Sequence, residues 1–361
     1  MAKGGYIGVS SKAKKIKKIY IGVGGVAKKV KKAYIGVGGK AKLFYSGRSG
    51  VFASVTIGTN KSAKYDSESD TVSSFSVSSN NIYQLTYCKG KWVVALITGG
   101  MMYSYDLSTW TSISNVYSGN FTCFGLVSDD NNFYALVLND SGSNYYGLGR
   151  IYVINASTMS ATSYSGAGTS SAKSWSGPSN DVRLGILPNG TVQMNAQNGT
   201  YLFNPANPST CTASGVSAHY MSQYYCPYAR TSAKIGVLKQ GSYLVFINDT
   251  SVVTSETQTS PQSIRISCKK IAFGNNIWLM YYNNQIYKSS DGVTWTATGT
   301  LPSYGVTSIC YGDGLFVAAS PSKKLLCLSE DGITWTEKTL STFSSDASGL
   351  AFSRSRGFGD L

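Results

Sequence analysis

The sequence predicts an all-β chain, a β-propeller of six or seven blades behind a basic segment of β-hairpin repeats. Three observations carry that prediction. Residues 6–45 repeat one phrase three times at a period of 14: YIGVSSKAKKIKKI from Tyr6, YIGVGGVAKKVKKA from Tyr20 and YIGVGGKAKLFY from Tyr34. A longer unit recurs over 266–298 and 307–339, so that Asp291 lies 40 residues before Asp331. Only 14% of the side chains are charged, Gly (39) and Tyr (26) abound, and no helical periodicity follows residue 50. Several short strands per 40 residues, separated by Gly- and Ser-rich turns, match the length and grammar of a propeller blade.

The N-terminal element is set apart by charge. Residues 1–50 hold 12 Lys, one Arg and no acidic residue, which is +13 of the chain's +15, whereas residues 51–361 carry 19 basic and 17 acidic side chains. Two segments with different electrostatic duties are therefore joined, a basic repeat segment over 1–48 and a propeller over 49–361. A 14-residue unit cannot bury an apolar face by itself, so it is stable only against its neighbours or another chain. That makes it a docking element for an acidic surface, with Tyr6, Lys14, Lys15, Tyr20, Lys28, Lys29, Lys31, Lys32 and Tyr34 as its contact residues. Each YIGVGG places two glycines after a strand-like run, the signal of a two-residue hairpin turn. The alternative is a short amphipathic helix, because Val26, Val30 and Ala33 also fall at helical spacing with Lys28, Lys29, Lys31 and Lys32 opposite.

Beyond residue 80 every unit follows one order: an apolar strand, a tight polar turn, a second apolar strand, another turn and an aromatic closing strand. Besides the two clear copies and the unit around Ser104–Trp110, weaker units lie at 122–166, 181–216 and 229–259. That makes six blades. The strands within 51–79 and 348–353 then either close the ring or build a seventh blade.

The clear copies share a heptad, Ser289-Ser290-Asp291-Gly292-Val293-Thr294-Trp295 against Ser329-Glu330-Asp331-Gly332-Ile333-Thr334-Trp335. A degenerate third copy, Ser104-Tyr105-Asp106-Leu107-Ser108-Thr109-Trp110, keeps Ser, Asp, Thr and Trp at the same spacing and loses the glycine. A glycine suits a turn residue with positive φ, the carboxylate accepts backbone N–H groups across the turn, and Trp plugs the space between blades. As buried plugs, Trp295 and Trp335 are each expected to cost about 3–5 kcal/mol when cut back to Ala. The heptad resembles the Asp-box of sialidase-like (BNR-type) β-propellers. That resemblance implies a peripheral fold element without a catalytic part, so Asp106, Trp110, Asp291, Trp295, Asp331 and Trp335 are read as structural.

The tandem YIGVGG and AKKVKKA units over residues 3–45 are similar to those that open structural and tail-associated proteins of tailed bacteriophages and of prophages of Gram-positive bacteria. The resemblance implies a virion protein made in the host cytoplasm, oligomeric in the particle and attached by its N-terminus to other virion proteins. Thirteen positive charges also suit nucleic acid or a membrane surface, but the interleaved aromatics are Tyr residues at strand-like positions, which fit stacking of repeats better than stacking on bases. No specific nucleic acid and no membrane span are expected, since the longest apolar runs fall far short of the roughly 18–20 residues a span needs. Met1 is followed by a basic stretch without the apolar run of a signal peptide.

Catalytic chemistry is thinly provided for. His219 is the only histidine, and no GxSxG-type elbow surrounds a serine. The seven cysteines are odd in number and lack a CxxC pair, which speaks against a disulfide framework or a zinc site and for buried thiols kept in a reducing compartment. No cofactor or metal is expected. A sialidase-like hydrolase would need converging arginines, and Arg150, Arg183, Arg230 and Arg265 fall in successive units, but no paired carboxylates accompany them. The chain is read as a non-enzyme. For binding, residues 219–228 concentrate Tyr220, Tyr224, Tyr225 and Tyr228 around Pro227, and Tyr145 and Tyr146 stand in the Gly/Ser-rich stretch 141–149. Tyr offers a flat apolar face with a polar tip, so these residues are candidates for gripping a host cell-surface glycan, with packing between blades as the competing role.

Overall fold

The structure is a computed structural model that describes residues 6–9, 12–15, 20–23, 25–29, 32–37, 40–46, 50–56, 60–77, 82–97, 100–116, 121–139, 149–167, 184–186, 190–196, 199–208, 211–213, 229–230, 234–239, 243–248, 256–258, 270–282, 284–291, 294–300, 305–340 and 347–352. Its elements are strands throughout, apart from one short 3-10 turn at Pro321–Lys323.

At the N-terminus β1 (Tyr6–Val9) pairs with β2 (Lys12–Lys15), β3 (Tyr20–Val23) with β4 (Val26–Lys29) and β5 (Lys32–Val37) with β6 (Lys40–Ser46), each as an antiparallel two-stranded sheet. The registers Val9↔Lys12, Val23↔Val26 and Val37↔Lys40 leave two residues between the strands of every pair. Gly25, with φ +78°, takes the left-handed conformation that such a turn demands. The three registers coincide: Gly8, Gly22 and Gly36 pair with Ala13, Ala27 and Ala41, and Ile7, Ile21 and Ile35 pair with Lys14, Lys28 and Lys42. The helical alternative over 26–33 finds no place in this pairing, since Val26–Lys29 and Lys32–Val37 are strands.

Seven four-stranded antiparallel sheets follow among the described residues. The first blade contains β7 (Val51–Thr56), β8 (Lys61–Asp66) and β9 (Thr71–Ser76). The second runs β10 (Ile82–Cys88), β11 (Lys91–Leu96), β12 (Met101–Ser104) and β13 (Thr111–Ser112), and the third β14 (Phe121–Ser128), β15 (Asn132–Asn139), β16 (Gly149–Asn155) and β17 (Ala161–Ala167). The fourth comprises β18 (Leu184–Ile186), β19 (Val192–Ala196), β20 (Gly199–Phe203) and β21 (Cys211–Ala213), and the fifth β22 (Ala229–Arg230), β23 (Lys234–Lys239), β24 (Tyr243–Asn248) and β25 (Glu256–Gln258). The sixth is β26 (Lys270–Gly274), β27 (Ile277–Tyr282), β28 (Gln285–Ser289) and β29 (Thr296–Thr300), and the seventh β30 (Ser308–Gly312), β31 (Leu315–Ser320), β32 (Leu325–Ser329) and β33 (Thr336–Thr339).

The last strand, β34 (Ala347–Phe352), crosses back to pair with β7 and becomes the inner strand of the first blade. The two alternatives for the chain ends, closing the ring or adding a blade, are thus one event, and the blade number is seven. Inner strands of successive blades lie side by side: β34 touches both β10 and β30, and β10 meets β14, β14 meets β18, β22 meets β26 and β26 meets β30.

The core lies between the blades. Phe52, Ala63 and Tyr65 of the first blade bury against Leu315, Val317, Leu326 and Leu328 of the seventh, and Ala53, Val55 and Phe75 on its other face against Ile82, Leu85, Trp92 and Val94 of the second. Further clusters join the second blade to the third, the third to the fourth and the sixth to the seventh. A strand sandwiched in this way is covered on both faces, so its sequence is apolar without alternation. Lys91–Ala95 of β11, Phe133–Val137 of β15 and all six residues of β31 are buried. Tight turns join the first two strands of several blades, with positive φ at Lys89 and Gly90, Asn275 and Asn276, and Asp313 and Gly314, as two-residue turns of the I′ type require.

Polar contacts reinforce the closure. Asp313 Oδ2 accepts the Gly50 N–H at 3.2 Å and the Ser67 hydroxyl at 3.0 Å, which ties the seventh blade to the start of the first, and Lys338 Nζ lies 3.2 Å from Asp70. A chain ending at residue 346 lacks β34, leaving β7 with an unpaired inner edge. The expected result is loss of a single cooperative thermal transition by circular dichroism; an unchanged melt contradicts the closure.

Candidate functional site

Six third-to-fourth-strand turns among the described residues carry the same device, and the Asp-box is its fullest form. In the second blade Asp106 Oδ1 accepts the N–H groups of Ser108 at 2.8 Å and Thr109 at 3.0 Å and the Ser104 hydroxyl at 3.1 Å, and Oδ2 accepts the Ser108 hydroxyl at 2.5 Å. In the seventh, Asp331 Oδ1 accepts from Ile333 and Thr334 N–H, both at 2.8 Å, and from the Ser329 hydroxyl at 3.0 Å. In the sixth, Asp291 Oδ1 takes the Ser289 hydroxyl at 2.9 Å and the Thr294 N–H at 2.8 Å. A fixed ring of donors favours the charged carboxylate. The Ser108 hydroxyl, followed by the Thr109 and Ser108 N–H groups, therefore holds Asp106 well below the usual carboxylate range, and the Thr334 and Ile333 N–H groups lower Asp331.

Three further turns use the same capping without the heptad. Asp66 Oδ1 accepts from Glu68 and Ser69 N–H at 2.8 and 3.0 Å, Asn155 Oδ1 from Ser157 and Thr158 N–H at 2.9 and 3.1 Å, and Asn204 Oδ1 from Ala206 N–H at 3.0 Å. The corresponding turn of the fifth blade lies outside the described residues. A signal exists in the sequence, an Asp or Asn at 66, 106, 155, 204, 291 and 331, spaced by 40 to 49 residues per blade. It is hidden because Asn replaces Asp at 155 and 204, the Thr of the box survives only as Thr158, and the closing Trp is gone from all three turns.

The glycine lost from the second-blade box has a physical replacement. Leu107 holds φ +65° where Gly332 holds +74°, a left-handed conformation that costs a non-glycine residue about 1–2 kcal/mol. Leu107 is 2% exposed and packs into the cluster between the first and second blades. At Gly332 the equivalent space is filled from the other side, since an added Cβ would lie 2.6 Å from Cδ2 of Leu279, itself fully buried. The box tryptophans are half-buried at the rim. Trp110 stacks on Phe75 at 6.3 Å and 24° and donates from Nε1 to the Ser76 carbonyl at 3.0 Å, joining its box to the outer strand of the preceding blade. Trp335 packs on the cluster between the sixth and seventh blades. The expected 3–5 kcal/mol for Trp295 and Trp335 is accordingly too large, because a half-exposed ring recovers only part of the transfer energy.

A second inter-blade tie was not foreseen. Lys91, 7% exposed at the start of β11, donates from Nζ to the carbonyls of Ala156 at 2.5 Å and Ser157 at 3.4 Å in the capped turn of the third blade, and sits 5.5 Å from the centroid of the Tyr105 ring. Burial pushes the thiols of Cys123 and Cys327 up to about 12, so both are protonated and inert at neutral pH. Among the described residues no three His, Cys, Asp or Glu side chains gather as a metal site would require.

Of the docking residues, Tyr6, Lys14, Lys15, Tyr20, Lys28, Lys29, Lys32 and Tyr34 stand on the hairpin strands, and Lys31 lies outside the described residues. The candidate glycan-binding residues Tyr145, Tyr146, Tyr220, Tyr224, Tyr225 and Tyr228 also lie outside them, as do His219, Arg183 and Arg265. Arg150 stands on the third strand of its blade and Arg230 on the inner strand of its own, so these two do not occupy equivalent positions around the axis.

Comparison with known proteins agrees with this architecture. Residues 223–350 match the DUF6242 beta propeller domain. Among curated proteins none matches the sequence. A catalytically inactive virginiamycin B lyase from Staphylococcus aureus, solved with quinupristin, is similar with a TM-score of 0.56 and 11% identity over 82% of this chain and 91% of that one. Apo AztD from Citrobacter koseri is similar with a TM-score of 0.52 and 9% identity over 84% and 98%, and YCF48 bound to D1 peptide with 0.54 and 12% over 81% and 85%. At these identities the likeness establishes the β-propeller fold and carries no chemistry.

Two predictions follow from the boxes. Gly332→Ala is expected to destabilise the protein by on the order of 1–3 kcal/mol, from positive φ and the collision with Leu279. Leu107→Gly also destabilises, because relief of about 1–2 kcal/mol of backbone strain is smaller than the roughly 2–5 kcal/mol lost with a buried leucine. Denaturant midpoints test both. The second concerns pH: the lowered carboxylates of Asp106 and Asp331 contribute stability that is fully present above the unfolded value of 3.8 and is lost as pH falls through their lower folded values. The double variant Asp106→Asn/Asp331→Asn should show a shallower fall of stability below about pH 4 than the wild type. Parallel acid limbs refute it.

Proposed function

We propose that this chain is a virion protein of a tailed bacteriophage, docked on the particle by residues 1–48 and displaying the propeller of residues 49–361 outward to bind a host-surface glycan. The observation that carries this reading is the division of charge: +13 concentrated in three tandem repeats ahead of a body with 19 basic and 17 acidic side chains. The wording of the repeats, which resembles the N-termini of phage tail-associated proteins, supplies the particle, and their charge supplies an acidic partner on it. Exposed charges act over about 8–10 Å at physiological ionic strength, so attachment through them is sensitive to salt. The tyrosine-rich stretches at 145–146 and 220–228 supply the receptor side. The role is binding rather than catalysis.

Deleting residues 1–45 is expected to leave a soluble, cooperatively melting propeller that no longer joins purified virions. Normal incorporation of that deletion would end the docking half of the reading. Tyr224→Ala/Tyr225→Ala is expected to keep the melting temperature and lose binding to host cell-wall glycan in a pull-down. If the wild type binds no surface fraction, the protein is a purely structural decoration, and release of soluble sugar would mark it as a hydrolase.

A further inference from the structure

Each N-terminal hairpin forms a sheet of only two strands, a size that is marginal in water, and among the described residues none of the three is hydrogen-bonded to another or to a blade. Their outer edges therefore remain available for pairing. The charge on them is graded. The first repeat carries Lys12, Lys14, Lys15, Lys17 and Lys18, the second Lys28, Lys29, Lys31 and Lys32, and the third Lys40 and Lys42, so the number of lysines falls from five to four to two toward the propeller. The registers nevertheless coincide residue for residue.

We propose, resting on the docking reading above, that the hairpins are three separate contact units that together engage one acidic face of a single partner protein, the first repeat making the strongest electrostatic contact. The spacing sets the geometry. From Lys15 to Tyr20 the chain advances five residues, at most about 18 Å when fully extended, and from Lys29 to Lys32 only three, at most about 11 Å. A globular subunit of about 100 residues has a radius of gyration of about 13 Å and is wider than that reach, so adjacent hairpins cannot seat on the same patch of neighbouring subunits. A second copy of this chain is disfavoured by its own +13. A phosphate backbone answers the lysines but offers nothing to the open edges of the YIGV strands, whereas a protein partner supplies both carboxylates and a strand to add.

The test uses the full chain with poly-L-glutamate as the acidic polypeptide probe and a 20-base-pair DNA duplex as the competing polyanion, titrated at several salt concentrations. Three neutralised variants, with the lysines of one repeat at a time changed to Gln, should each retain binding to poly-L-glutamate, and the loss of salt dependence should rank first repeat, second, third. Gly25→Val keeps every charge but places a β-branched residue at φ +78°, opening the second hairpin, and should weaken binding roughly tenfold through lost avidity. Complete loss of binding on neutralising any one repeat would mean a single cooperative surface and overturn the proposal, as would an unaffected Gly25→Val variant. Tighter binding to the duplex than to poly-L-glutamate would make the segment a nucleic-acid binder instead. If the chain lacking residues 1–45 binds poly-L-glutamate as well as the full chain, the docking reading itself fails.

Discussion

The structure depends on one constraint: no four-stranded sheet in it can cover its own faces. A middle strand such as β31, buried along its whole length, has no polar side to turn toward water, so its sheet is stable only with a neighbour pressed on each face. Stability therefore propagates around a ring and is limited by the one joint that local sequence cannot make. That joint is the first blade, where β34 from the far end of the chain pairs with β7 in the register Phe352↔Phe52 to Ala347↔Thr56. Phe52, fully buried, faces the seventh blade from this sheet, while Ala53 faces the second. Closing a ring some 300 residues long carries an entropic cost that grows only slowly with length, and burial in the two flanking inter-blade clusters works against it.

The capped turns solve a different problem, which is how to hold the rim where burial is incomplete. A side-chain oxygen that accepts two successive N–H groups fixes the turn without help from the core, and the box then spends its remaining residues on the neighbour. Trp110 reaches back to Phe75 and Ser76, Trp335 to the joint between the sixth and seventh blades, and Lys91 forward to the carbonyls of Ala156 and Ser157. The comparison of Leu107 with Gly332 shows two ways of filling one position: an apolar side chain accepted at positive φ, or a glycine against which Leu279 packs.

The blades most legible in the sequence are those that keep the complete heptad. Asp291 and Asp331 announce the sixth and seventh because glycine, threonine and tryptophan follow at fixed spacing. The third and fourth are legible only as apolar stretches separated by polar turns, because Asn155 and Asn204 cap their turns with an amide and no tryptophan follows. The first was ambiguous for a topological reason: its strands come from opposite ends of the chain, and a local reading of 51–79 and 348–353 has no means of joining them. The second and third hairpin turns were legible because a Gly-Gly pair after a strand-like run leaves few alternatives, and Gly25 takes φ +78°, whereas the lysine runs fit strand and helix alike until pairing is known. Lys91 was invisible because its partners are backbone carbonyls, which every sequence has. At the candidate site, the structural part was read from the boxes, while the tyrosines proposed for glycan binding are nominated by their chemistry, not by periodicity.

The body and its basic extension thus follow separate physical rules, a ring held by packing and a set of two-stranded sheets of a size that is marginal in water. Native-state hydrogen exchange on the intact chain tests the ring most directly. If closure by β34 is the joint on which the blades depend, the amides of Leu350–Phe352 should exchange as slowly as those of β7 and β31, through the same global opening. Fast exchange of residues 347–352 while β31 stays protected would contradict it, because the ring would then hold without its closing strand.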